Sequence, residues 1–206
     1  MQVTITKLDA ARRQLETAIK LYFDEGDQAS VHTLCCAAYN VIQVLNKKQN
    51  SPLTLDDMML KDLSDLMLTK ARRKEVHDYL NETENFLKHG NSDPDATHIF
   101  DSDYTEALLF DAVIRYGRLA GECSPELGMY LGWFVSLHPD ILDAVDIPDE
   151  FRQRLRVIGK VFLKDGRKKF YQDVRPAAAP VKVSEYECGR LVLNDQGTKP
   201  AQLSIR

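Results

Sequence analysis

The chain has 206 residues, 44% of them hydrophobic and 28% charged, with a formal net charge of −4. That length suits one domain with a substantial core, or a domain with an appended tail. No apolar run reaches the roughly eighteen residues of a membrane span, and the composition is that of an ordinary soluble protein.

In chain order, "MQVTITKLDAARRQ" lacks the apolar core of a secretory signal and reads as a mature N-terminus. "TKLD", Thr6 to Asp9, has the spacing of a capping box, with Asp in place of the usual Glu or Gln. Behind it Leu8, Ala11, Leu15, Ala18, Ile19 and Tyr22 recur at helical spacing until Gly26. A second helix carries Val31, Leu34, Cys35, Ala38, Val41, Ile42 and Leu45, and the short link predicts an antiparallel hairpin. Pro52 resets the chain, and Leu55, Met58, Met59, Leu63, Leu66 and Met67 form the stripe of a third helix.

A fourth helix runs from about Lys70 to His89 and stops at Gly90. "GNSDPDATHIFDSD" is loop by composition. A fifth helix, from Ser102 to Leu119, turns Leu108, Leu109, Ala112, Val113, Tyr116 and Leu119 inward. Ser124-Pro125 starts a sixth, which carries Trp133 and Phe134 as core residues, and a short piece follows near Ile141. Beyond Pro148 a basic helix places Phe151, Leu155, Ile158 and Phe162 on one side. "RPAAAP" reads as a linker, and "VKVSEYE" and "RLVLN" alternate as two short strands turning at Glu187-Cys188-Gly189. Two strands alone are marginal, so this tail stays flexible or docks on a protein partner.

The expected fold is all-α: an antiparallel helical bundle of about six to seven helices with a short extended or β-hairpin C-terminal tail. Residues 1–146 form the bundle domain, 147–171 the basic amphipathic helix, and 172–206 the linker and tail. Cys35 and Cys36 are adjacent on a helix, where successive side chains diverge by about 100°, and Cys123 and Cys188 lie far apart. This favours a reduced, cytoplasmic protein.

Several chemistries are excluded by motif. No glycine-rich phosphate loop, no Glu-x-x-His pair, no His-Glu-x-x-His and no paired Cys-x-x-Cys occurs, so no cofactor and no metal are expected. Charge is unevenly spread. Arg152 to Lys169 holds eight basic residues against Asp165 alone, which leaves the rest of the chain at −11. With its apolar stripe docked, the helix would offer Arg152, Arg156, Lys160 and Lys164 to phosphates, or else to the acidic body of its own chain or a second subunit.

On a wheel of about 100° per residue the fourth helix turns Val76, Tyr79, Leu80, Thr83, Phe86 and Leu87 to one half. His77, Asn81, Asn85 and His89 form a polar ridge on the other. A solvated face explains such a ridge, but Asn is a poor helix former and suits hydrogen bonding better than solubility. Asn85, Lys88, His89 and Asp93 gather where the helix C-terminus, which favours cations, meets the polar loop. His32 is expected as a cap or surface residue at a helix start, and His138 as a helix end.

Arg72 to His77, "RRKEVH", resembles the Arg-x4–6-His signature of HEPN domains, and the opening hairpin "LDAARRQLETAIKLYFDEGDQASVHTLCCAAYNVIQVL" is similar to the paired long helices that begin many of them. The resemblance implies a bacterial, metal-independent ribonuclease acting as a homodimer, with Arg72 and His77 at the scissile phosphate and the attacking 2′-hydroxyl. Histidine would move protons there, and arginine would stabilise the phosphorane charge. The two sit about 140° apart on the wheel, so two copies meeting across a dimer would converge them. "SVHTLCCAAYNVI" with "ENFLKHGNSDPD" also resembles an uncharacterised family of proteobacterial proteins over roughly residues 5–140. Three readings follow: an RNA-binding or RNA-cleaving HEPN-like protein, a non-catalytic protein-interaction or dimerisation module, and a small-molecule binder using Asn85 and His89. None calls for a membrane.

Overall fold

The computed structural model describes residues 2–48, 70–89, 95–144 and 149–182. The chain is all-α, and it divides into two compact units, Met1–Ala120 and Gly121–Arg206. The division falls well ahead of the residue-146 boundary read from the sequence, because the helix that follows Ser124 packs with the basic helix. Among the described residues no helix is long and apolar enough to cross a membrane.

In the first unit, α1 (Lys7–Phe23) begins at the expected capping box. Thr6 Oγ1 accepts from the Asp9 backbone N–H at 3.0 Å, and Asp9 Oδ2 accepts from the Thr6 N–H at 3.2 Å. The helix ends in a complete Schellman motif. Gly26 N–H donates to Leu21 O at 2.8 Å and Glu25 N–H to Tyr22 O at 3.3 Å, with Glu25 left-handed at φ 58°. The reversal lays α2 (Gln28–Lys48) along α1. Ala11, Leu15, Ala18, Ile19 and Tyr22 of the expected stripe are buried against Val31, Cys35, Ala38 and Ile42.

The expected helix over Leu55–Met67 lies outside the described residues. α3 (Lys70–Lys88) packs lightly on α2, whereas α4 (Ser102–Ala120) packs extensively on it. α4 is buried almost all round from Leu108 to Gly117, not on one face as its periodicity suggested, and the buried stretch includes Asp111 and Arg115.

In the second unit, α5 (Pro125–Leu137), α6 (Pro139–Ala144), α7 (Asp149–Asp165) and α8 (Arg167–Val174) pack around Trp133. Its ring stacks on Phe162 at 5.6 Å and meets Phe170 at 5.2 Å, and Phe162 and Phe170 are 4.0 Å apart. The basic segment read as one helix to Tyr171 is two, because Gly166 breaks it with φ 81°. Gly159 sits against α5 so closely that a Cβ there would run into the Ser136 carbonyl.

The expected tail hairpin falls outside the described residues beyond Lys182. Its first two residues, β2 (Val181–Lys182), pair antiparallel with β1 (Glu122–Cys123), Lys182 opposite Glu122 and Val181 opposite Cys123. Residues 181–182 therefore dock on their own chain, where the sequence suggested a free tail or a partner surface.

Candidate functional site

α3 positions most of the residues singled out in the first unit. Arg72 and His77 lie on its backbone, but their side chains are outside the described set, as is all of Asp93. Asn81, Asn85, Lys88 and His89 are exposed, and the His89 N–H closes the helix onto Asn85 O at 2.9 Å. Lys88 Nζ is tied to Glu84, whose carboxylate also accepts from Asn40 Nδ2 of α2 at 2.7 Å. So the ridge of Asn81, Asn85 and His89 meets solvent, while Lys88 is engaged within the fold. On the other half Thr83 is fully buried, but Phe86 departs from its expected inward place and is 41% exposed.

The reason is His98, which composition had assigned to a featureless loop. The residues leading into α4 form an extended strap across α3. His98 Nε2 and Thr83 Oγ1 share a hydrogen bond at 2.7 Å, and His98 Nδ1 lies 3.7 Å from Glu82. Tyr79 Oη donates to Ile99 O at 3.3 Å and accepts from the Asp101 N–H at 2.5 Å. Phe86 rests its ring on His98 at 5.3 Å, taking an imidazole face in place of the core.

Behind the strap stands His32. Expected at the surface, it is 0% exposed: Nδ1 and Thr105 Oγ1 share a hydrogen bond at 2.9 Å, Phe100 meets its ring edge-on at 5.7 Å, and Nε2 has no hydrogen-bond partner among the described residues. Burial pushes its pKa down to about 4, with Glu84 pulling the other way, so the ring is neutral at physiological pH. On the next turn, burial pushes the Cys36 thiol up to about 12, which removes it as a nucleophile. The signal for His32 was available, since it falls one position from Val31 and three from Cys35 on the apolar stripe.

In the second unit, two of the four phosphate candidates are already satisfied. Arg152 Nη1 donates to Asp143 O at 2.8 Å and its Nε lies 3.7 Å from Asp149, while Arg156 pairs with the Asp143 carboxylate. Arg154 likewise pairs with Glu150. The acidic run "DILDAVDIPDE" just ahead of the helix was the overlooked signal. Among the described residues Lys160 and Lys164 are exposed and make no ion pair, and the same holds for Lys168 at the start of α8. Val157 and Val161, 63% and 50% exposed, stand beside Lys160 and Lys164 on the outer face of α7.

Among the described residues no three His, Cys, Asp or Glu side chains are grouped as a metal centre requires. Comparison with protein-family models, with curated proteins and with solved structures finds no match to this chain.

Proposed function

We propose that this is a HEPN-like, cytoplasmic RNA-binding protein whose first unit is an antiparallel helical bundle, and that the lysine edge of α7 and α8 is its phosphate contact. The observation carrying the reading is the contrast between the start of α7 and the stretch from its last turns into α8. Arg152, Arg154 and Arg156 are neutralised by Asp143, Asp149 and Glu150, whereas Lys160, Lys164 and Lys168 are exposed with no carboxylate partner among the described residues. Cations left unpaired release counterions on meeting a polyanion, and that release drives binding. Cleavage belongs to the same proposal: Arg72 and His77 on α3 would meet their counterparts across a homodimer, with Asn81, Asn85 and His89 along the approach.

The test is binding of labelled single-stranded RNA across a salt series. The wild type should lose affinity steeply with salt, and replacing Lys160, Lys164 and Lys168 together by alanine should reduce the log–log slope by about 2, at roughly 0.7 per phosphate contact. Salt-insensitive or absent binding by the wild type overturns the reading. Metal-free incubation of RNA with wild type and His77→Ala then separates cleavage from binding.

A second reading, a non-catalytic interaction module, is favoured by the aliphatic side chains on that same outer face. Val157 and Val161 offer apolar area that RNA phosphates do not use.

A further inference from the structure

Both units bury most of their aromatic residues, Tyr22, Phe23, Phe110 and Tyr116 in the first among them, but one group in the first unit stands apart. In the second, Trp133 and Phe170 are buried and their packing explains them. In the first, four rings form a continuous row linking α3, the strap and α4, with Phe86 exposed, Tyr79 and Tyr104 half-buried, and the His98 side chain only 9% exposed. Phe86 lies 5.3 Å from His98, His98 5.6 Å from Tyr79, and Tyr79 4.5 Å from Tyr104, with interplanar tilts of 31°, 33° and 37°. The row is held from within by Thr83 on His98 and by the strap backbone on the Tyr79 hydroxyl. What the row offers to solvent is its Phe86 end, 41% exposed, with Ile99, between His98 and Phe100 on the strap, 89% exposed.

Carboxylates stand at both ends. Glu82, 74% exposed, lies beyond His98. Asp101, bonded to Tyr79, and Asp103, whose N–H donates to Asp101 Oδ1 at 3.0 Å, lie beside the Tyr79–Tyr104 end, and both are exposed. The nearest described cation on α3, Lys88, is consumed by Glu84.

We infer that this ring row, with Ile99 beside it and carboxylates at its ends, is a docking surface for an arginine-bearing basic segment of a protein partner. The chemistry selects that occupant. Aromatic faces attract a cation, and a planar guanidinium both stacks on a ring and pairs two-pronged with a carboxylate, which an ammonium does not do. Ile99 and Phe86 would bury against the aliphatic stems or neighbours of the arginines. Nucleic acid would also stack on the rings, but Glu82, Asp101 and Asp103 would face its phosphates, and an anionic lipid surface meets the same repulsion. The inference stands apart from the RNA reading, which rests on lysines of the other unit.

The experiment titrates the full-length protein with three fluorescein-labelled peptides, alternating arginine–leucine, lysine–leucine and glutamate–leucine. Polarisation and the Ile99 methyl resonance serve as readouts. The arginine peptide is expected to bind about tenfold more tightly than the lysine peptide, to shift the Ile99 methyl, and to lose at least tenfold in affinity to Phe86→Ala with Ile99→Ser, with the glutamate peptide inert. Phe86 packs on His98, so Ile99→Ser alone, at an 89%-exposed position, serves as the variant that keeps the wild-type melting temperature, and it should weaken arginine-peptide binding by itself. Glu82→Gln should weaken binding and flatten its salt dependence. Equal binding of arginine and lysine peptides that ignores these replacements would mean general attraction to an acidic protein and overturns the inference. So does displacement of the peptide from Ile99 by RNA, or an Ile99 shift that grows with protein concentration alone, which would mark the face as a contact between copies.

Discussion

Asp111 and Arg115 stand one turn apart on α4 and pair at 2.8 Å with only 4% and 3% of their side chains exposed. Tyr39 of α2 borders the pair, its ring 5.9 Å from the guanidinium carbon. Burial pushes the Asp111 carboxyl above its ordinary range while Arg115 pulls it back. Removing one partner strands a buried charge. Asp111→Ala should therefore cost about 3–5 kcal/mol of stability, and Asp111→Leu with Arg115→Met should recover most of it. Urea denaturation of the three proteins checks this, and an additive double variant would contradict it.

His32 makes the fold acid-sensitive. Its folded-state pKa of about 4 lies below the ordinary 6.5, so the unfolded chain takes up the proton first. Stability from this residue is constant above about pH 6.5 and falls as the pH drops towards about 4, by up to roughly 1.4 kcal/mol per unit. His32→Gln should remove that component of the slope. Urea midpoints at pH 7 and pH 5 measure it, and equal losses in both proteins would rule it out.

Two glycines on facing helices should respond oppositely to alanine. A Cβ at Gly159 of α7 meets the Ser136 backbone, while at Gly132 of α5 it meets nothing within 4 Å. Gly159→Ala should destabilise by about 1–3 kcal/mol despite better helix propensity, whereas Gly132→Ala should stabilise by about 0.5–1 kcal/mol. Thermal melts of the pair give the sign directly.

Glu25 occupies the left-handed position of the α1 Schellman motif, where a Cβ is penalised. Glu25→Gly should stabilise the protein by about 1 kcal/mol, the reverse of the usual effect of introducing glycine. A lower midpoint would show that the Glu25 side chain contributes more than its backbone strain takes away.

Thiol chemistry should be slow. Cys35, Cys36 and Cys123 are buried and reduced, and burial lifts Cys36 and Cys123 to about 12. In a Cys188→Ser background, an aromatic disulfide reagent at pH 8 should label the native protein on the order of a hundredfold more slowly than the urea-unfolded chain, because the thiolate is the reacting form.

The helices of the first unit were legible because their apolar residues repeat at 3.6: Leu15, Ile19, Ile42 and Val113 fall where the wheel puts them. Asp111 and Arg115 were not, since a wheel assigns charges to the solvent side. Two opposite charges one turn apart within "LLFDAVIRYG" were the available hint of a pair paired inside. His98 escaped because its role depends on a strap with no periodicity, and on Thr83 of another element. Arg152 and Arg156 misled for a related reason: a helix read alone has no Asp143 beside it.

The pairing of Glu122–Cys123 with Val181–Lys182 brings the two ends of the segment 122–182 side by side. A segment whose entrance and exit coincide can be lifted out and spliced into the surface loop of an unrelated host without stretching either backbone. Excision between Gly121 and Lys182 thus yields a portable cassette carrying the lysine edge, separable from the aromatic row that stays behind.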